Sequence, residues 1–222
     1  MWEFGNKQVV KNNKRNYAKS FAEHWLGRKP RMSKQAKTLT PQEQRRVLDY
    51  MATRAHAARN RAIFMVMFLA GLRVGEAAAL RVRDAVDDNG QVRTEFLLPA
   101  AYTKGGQART VFVSERLRKE LTAYVQATEF LSRNSKLFYS QKQDSDGFTA
   151  NTLTQHFHYL YKRAGVIGAS SHSTRRTFIT NLAAQGISVR VLASLAGHRS
   201  IATTQAYIDV NDDMKRKAVE LV

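Results

Sequence analysis

The stretch AGHRSIATTQAYIDV, residues 196–210, sets His198 nine residues before Tyr207 among small polar side chains. Ser200, Thr203, Thr204 and Gln205 offer little to a core, so the segment reads as a platform presenting Tyr207. Further back, HSTRRTF holds His172 and Arg175 three residues apart, on one face if a helix starts there. GLRVGE places Arg73 three residues before Glu76, where an apolar run ends in a turn. A guanidinium cannot shed its charge at such a point, and Glu76 is placed to hold it. Lys104 stands in AYTKGGQ, between two β-type runs.

Together these residues make a set for phosphoryl transfer by protein cations. Arginines clamp non-bridging oxygens bidentately and stabilise transition-state charge. Histidine and lysine manage protons on the attacking and leaving oxygens. A deprotonated tyrosine forms a covalent phosphotyrosyl bond. No aspartate/glutamate pair is spaced as a two-metal site requires, so neither a metal nor a cofactor is expected.

Local signals give the elements that must position this set. Thr40-Pro41-Gln42-Glu43 is a capping box with proline at the first helical position, opening a helix to about Arg54 with Val47, Leu48 and Met51 inward. RNRAIFMVMFLAGL is apolar nearly all round and reads as the buried central helix, ended by Gly71. VGEAAALRVRDAV begins a short third helix. TEFLLPA and ARTVFVS are strands of a hairpin whose tip, with Gly105-Gly106, is flexible. Ser114 caps an amphipathic helix with Leu117, Leu121 and Val125 on one face. FTANTLTQHFHYLYKRAG is a helix closed by Gly165, and STRRTFITNLAAQG, SVRVLASLAG and SIATTQAYI follow as short helices. The expected fold class is α+β, mainly helical, with one small β element.

Composition narrows the partner. The 222 residues hold 36 Lys/Arg against 18 Asp/Glu, a net charge of +18. Such an excess repels itself unless a polyanion neutralises it, and nucleic acid leads over an anionic membrane surface. Twelve of the basic residues fall in residues 1–46 against three glutamates, so residues 1–38 read as a basic arm or linker with a short helix around Tyr17 to Leu26. The domain then spans 39–210 and a tail helix 211–222. Without cysteine, disulfides and thiolate chemistry are excluded. The N-terminus has no signal-peptide pattern, and the longest apolar stretch, Ala62 to Leu72, is too short for a bilayer. A cytoplasmic protein is expected.

The order GLRVGE, TKGGQARTVFV, HSTRRTF, LAGHRSIATTQAYI resembles the catalytic domain of tyrosine recombinases of the phage-integrase type, over roughly residues 38–210. The resemblance implies that Arg73, Lys104, His172, Arg175 and His198 are catalytic, with Glu76 in support and Tyr207 the nucleophile that forms a 3′-phosphotyrosyl link. It implies no metal and no ATP. The helix Thr149 to Ala164 resembles the family's major-groove helix, with Asn151, Thr152, Gln155 and Lys162 outward, and Arg176 bears on a backbone or phosphate contact. The implied partner is double-stranded DNA with inverted-repeat sites, bound by a homotetramer whose C-terminal tails dock on neighbours. Arg176 stands where many relatives have His, and Ser173-Thr174 where Leu or Met often precedes the arginine. Relatives carry a helical core-binding domain before the catalytic one, and the roughly 38 residues here fit either a short form without a full core-binding domain or a truncated chain. A type IB topoisomerase or a non-catalytic DNA-binding protein of the same fold are the alternatives.

Overall fold

In the computed structural model, residues 35–130, 132–141, 146–208, 215–216 and 219–220 are described. The chain divides into two compact units, Met1–Gln35 and Ala36–Val222, and the elements named next all belong to the second. The arm helix expected around Tyr17 to Leu26 lies outside the described residues. So do Asn211, Asp212, Met214, Ala218, Leu221 and Val222, on which the expected tail helix rests.

Helix α1 (Pro41–Ala52) starts as its sequence dictates: Thr40 Oγ1 accepts from the Glu43 N–H at 3.2 Å, and Glu43 Oε2 accepts from the Thr40 N–H at 3.0 Å. Val47 and Met51 are buried beneath it. Helix α2 (Ala57–Leu69) is buried from Ala62 to Phe68 and packs on α1, α5 (Glu115–Gln126) and α7 (Ser173–Ala184), which makes it the central helix. Each of its fully buried large side chains contributes about 1.5–3 kcal/mol. The chain leaves α2 through Gly71 at φ +64°, where a Cβ would lie 2.5 Å from the Phe178 ring, so both backbone sign and close packing demand glycine.

The expected single helix after Arg73 is two: α3 (Val74–Ala79) and α4 (Val82–Ala85). The break at Leu80 has a tertiary cause. Leu80 O accepts from Leu137 N at 2.9 Å and Val82 N donates to Ser135 O at 3.0 Å, while Asp84 Oδ2 caps Arg81 N at 2.8 Å. Backbone partners from residues 135–137 replace the helical bonds.

Strands β1 (Glu95–Leu98) and β2 (Arg109–Phe112) pair antiparallel, Glu95 opposite Phe112 and Leu98 opposite Arg109. Phe96, Leu98 and Val111 point inward, and Leu97 and Phe112 face out. Between the strands a 3-10 turn spans Ala100–Tyr102, and Thr103 Oγ1 accepts from Gln107 N at 3.1 Å across the Gly105-Gly106 tip. In α5 the interior position falls to Tyr124, whose hydroxyl donates to Leu137 O at 2.7 Å, and Val125 is half-buried. Helix α6 (Ala150–Arg163) buries Leu153, Phe157, Leu160 and Tyr161 against α1 and α3. Helices α8 (Val189–Ala196) and α9 (Ile201–Gln205) pack together beside α7 and β2, joined through Gly197. No helix among the described residues is long and apolar enough to cross a membrane.

Candidate active site

The site forms where the end of α2, the first turn of α7 and the hairpin converge on the C-terminus of α8. Helix ends leave unpaired carbonyls and the negative end of the peptide dipole, both of which attract cations. Here three guanidiniums take three successive carbonyls. Arg109 Nη1 donates to Leu195 O at 3.1 Å, Arg175 Nη2 to Ala196 O, and Arg73 Nη2 to Gly197 O at 3.2 Å. Arg175 also donates to Gly71 O at 2.6 Å, so the turn after α2 and the end of α8 are clamped by one buried side chain. Gly197 closes α8 in the left-handed conformation at φ +62°.

One carboxylate serves this cluster. Glu76, 1% exposed, accepts from Arg73 Nη1 at 2.7 Å, from the Arg73 N–H at 2.9 Å and from Arg109 Nη2 at 2.8 Å. Burial alone would push the Glu76 carboxyl up; Arg109, the Arg73 hydrogen bonds and Arg175 more than reverse this and hold it below the ordinary carboxylate range. Burial, then the Arg73 charge, lowers Arg175 to about 9, with Glu76 opposing. Cations outnumber the carboxylate, and the surplus is an electrostatic demand for an anion.

His198 follows Gly197 directly. Its Nδ1 meets Thr204 Oγ1 at 2.8 Å, and its ring stacks on that of Tyr207 with centroids 5.7 Å apart and planes 22° from parallel. Burial, followed by Arg175, Arg73 and Arg109, lowers the His198 imidazole to about 4, so it is neutral at pH 7. Tyr207 is half-buried just beyond α9, and its N–H donates to Thr204 O at 2.9 Å. His172 caps α7 and is largely exposed; partial desolvation and then Arg175, Arg73 and Lys104 lower its imidazole. Lys104 is exposed at the hairpin tip, close enough for its charge to act on His172. A cavity of about 180 Å³ separates the tip from the α8–α9 junction, lined by Arg73, Gly105, Arg109, His198 and Arg199 among others.

Arg73, Glu76, Arg175, His198 and Tyr207 thus come together, with His172 and Lys104 at the rim. On α6, Asn151, Thr152, Gln155 and Lys162 are exposed as expected, but the Thr152 hydroxyl is engaged with Thr149 in the helix cap, at 3.0 Å. Arg176, expected to bear on a backbone or phosphate contact, is 8% exposed, its Nε donates to Thr38 Oγ1 at 3.2 Å, and its guanidinium lies 5.4 Å from the Tyr207 ring centre. Thr204, expected to offer little to a core, is fully buried and holds His198. Arg109 was not singled out from sequence at all. Its signal was present: an arginine on the inward face of β2, in register with buried Leu98.

A small antiparallel hairpin on a helical domain, with an arginine cluster beside a late tyrosine, is the arrangement to set beside known proteins. The sequence profile of the Phage integrase family matches residues 37–214, and the chain belongs to that family. Among its relatives, tyrosine recombinase XerA of Thermococcus kodakarensis is 30% identical over 187 residues, which are 83% of this chain and 62% of that protein. Transposase A from transposon Tn554 of Staphylococcus aureus is 30% identical over 193 residues, 83% of this chain and 52% of that protein. The crystal structure of XerA recombinase matches with a TM-score of 0.65 at 27% identity, covering 83% of this chain and 64% of that one. The Tn1549 transposon integrase in complex with a circular intermediate DNA shares the fold, with a TM-score of 0.65 at 19% identity, covering 83% of this chain and 65% of that one. The fold is that of the tyrosine-recombinase catalytic domain. The chain spans about half to two-thirds of the length of these relatives.

Proposed function

We propose that this domain cleaves and rejoins DNA as the catalytic part of a site-specific tyrosine recombinase, through a 3′-phosphotyrosyl intermediate. The observation that carries the reading is Tyr207 stacked on His198 beside guanidiniums fixed on the carbonyls of residues 195–197. Relatives named as recombinases and the net charge of +18 support it.

In the proposed reaction Arg73, Arg175 and His198 hold the non-bridging oxygens of a phosphodiester. The Tyr207 phenol loses its proton, with His172 assisting as acceptor; partial desolvation, then the charges of Arg175, Arg73 and Lys104, lower that imidazole and favour its neutral form. Tyr207 Oη forms a bond to phosphorus as the bond to the 5′-oxygen breaks, and Lys104 supplies the proton to that oxygen. One phosphoester replaces another, so the incoming 5′-hydroxyl of a partner strand reverses the step without ATP. Fixed cations already aimed at the developing charge need no reorganisation during reaction. The proposed substrate is duplex DNA with inverted-repeat sites, bound by a homotetramer, with α6 facing the DNA. Deleting residues 212–222 then leaves DNA binding measurable and weakens synapsis, read as tetramer formation by sedimentation.

The test uses a library of nicked duplexes randomised at the site, from which covalent adducts are captured on denaturing gels. Wild type forms adduct on a selected sequence, and Tyr207→Phe binds that duplex but forms none. Adduct from Tyr207→Phe would refute the nucleophile. Lys104→Ala loses cleavage of the ordinary 5′-oxygen and largely keeps that of a 5′-phosphorothiolate, which departs without a proton. A Holliday-junction product separates recombination from simple nicking and closing.

A further inference from the structure

The reaction above leaves one buried cation of the cluster without a task. Arg109 sits at the tip-proximal end of β2, five residues after Lys104, and its side chain crosses from the hairpin to both other parts of the site. It donates to Glu76 Oε2 at 2.8 Å and to Leu195 O at 3.1 Å. Glu76 in turn holds Arg73 through side chain and backbone, at 2.7 and 2.9 Å. A single buried carboxylate therefore joins the arginine of the hairpin to the arginine that faces the cleft.

The fit around Arg109 is close. A Cβ at residue 197 would lie 2.6 Å from Arg109 Cδ and 2.7 Å from its Nε, so this side chain occupies the space that any residue larger than glycine would need. Gly197 is also the residue whose carbonyl receives Arg73. Hairpin, Glu76, Arg73 and the α8 C-terminus are one packed unit with Arg109 at its centre.

We infer that Arg109 is a positioning residue that latches the Lys104 hairpin to α8 and, through Glu76, fixes Arg73 for the phosphate. The inference rests on the recombinase reading. Its chemistry follows from the partners. With methionine at 109, Glu76 stays buried but loses the cation that does most to oppose its burial. The carboxyl then rises, with only Arg73 and Arg175 left to oppose its burial, and protonation replaces the Arg73 side-chain ion pair by a weaker neutral hydrogen bond.

The experiment measures single-turnover cleavage of a captured duplex by wild type, Arg109→Met, Arg109→Lys and the double variant Glu76→Gln/Arg109→Met across pH. We expect Arg109→Met to show a second acid limb in addition to the one His172 gives wild type, its rate falling up to about tenfold further per pH unit below the displaced Glu76 pKa. Arg109→Lys, which keeps a cation beside Glu76, returns the profile toward that of wild type. The double variant is slow at every pH and lacks the added limb. A general packing defect would slow Arg109→Met equally at all pH and would not be cured by lysine; that result, or a wild-type profile in Arg109→Met, overturns the inference. Absence of any adduct from wild type overturns the recombinase reading, and this role with it.

Discussion

Two buried arginine environments in this domain differ in what they lack. Arg59, on α2, is 2% exposed, and among the described residues no carboxylate pairs with it. All three of its nitrogens nevertheless have acceptors: Nη1 donates to Tyr139 O at 3.1 Å, and Nε and Nη2 to Asn60 Oδ1 at 3.4 and 3.1 Å. The Tyr139 and Phe148 ring centres lie 5.1 and 5.0 Å from its guanidinium carbon. The environment is closed. Around Glu76, two guanidiniums, those of Arg73 and Arg109, share one carboxylate with Arg175 close by, and among the described residues Arg109 Nε is buried with no partner. Arg73 reaches the cleft with a quarter of its side chain exposed. A satisfied cation holds structure together; a cluster with surplus charge and an opening to the cleft suits the phosphate of the proposed reaction.

Substitution separates the two most sharply. Arg175→Ala is expected to reduce cleavage by about a thousandfold, the order lost with a fixed transition-state donor; stability also falls, because Gly71 O and Ala196 O lose their donor, and relief of the repulsion with Arg73 offsets part of that loss. Arg59→Ala is expected to cost about 3 kcal/mol of stability, through a cavity and orphaned acceptors, and to leave the cleavage rate per folded molecule unchanged. Denaturant melts and single-turnover rates on the same samples check both. Loss of rate in Arg59→Ala, or wholesale unfolding of Arg175→Ala, would erase the distinction.

Titration sharpens it further. His156, whose Nε2 meets Asn60 Oδ1 at 3.0 Å, is lowered to about 4 by burial and then Arg59, the same value His198 reaches in the cluster. Each is depressed on folding, so between an unfolded pKa of about 6.5 and the folded value the unfolded chain binds more protons. Their contribution is full above that window, and stability is lost as pH falls through it. Inorganic phosphate should raise the His198 pKa in NMR titration and leave His156 where it is. The smallest effect is expected on α6: Lys162→Ala, far from either cluster's bonds, should lower the slope of log affinity against log salt by about one.

What could be read from the sequence followed the range of the forces involved. The Thr40–Glu43 box and the Ser114 cap act within one turn, and each starts its helix where expected. Arg73 with Glu76 and His172 with Arg175 were visible because their spacing is local. Arg109 and Arg59 were not, since the partners that decide their roles lie elsewhere in the chain: Glu76 and Leu195 for one, Tyr139 for the other. Arg59 looks in AARNRAIF like a solvated helix start, and only tertiary packing buries it. The burial of Thr204 escapes the sequence for the same reason, because it depends on a partner, His198, that composition does not name. The break at Leu80 likewise comes from residues 135–137.

The central claim is that the surplus cations serve a phosphate attacked by Tyr207. It is tested most directly by mapping the covalent adduct. Wild-type protein trapped on a nicked duplex, digested with nuclease and trypsin, should yield the peptide from Ser200 to Lys215 carrying a 3′-phosphonucleotide on Tyr207. The same peptide recovered unmodified, with the nucleotide on another residue, would contradict the account.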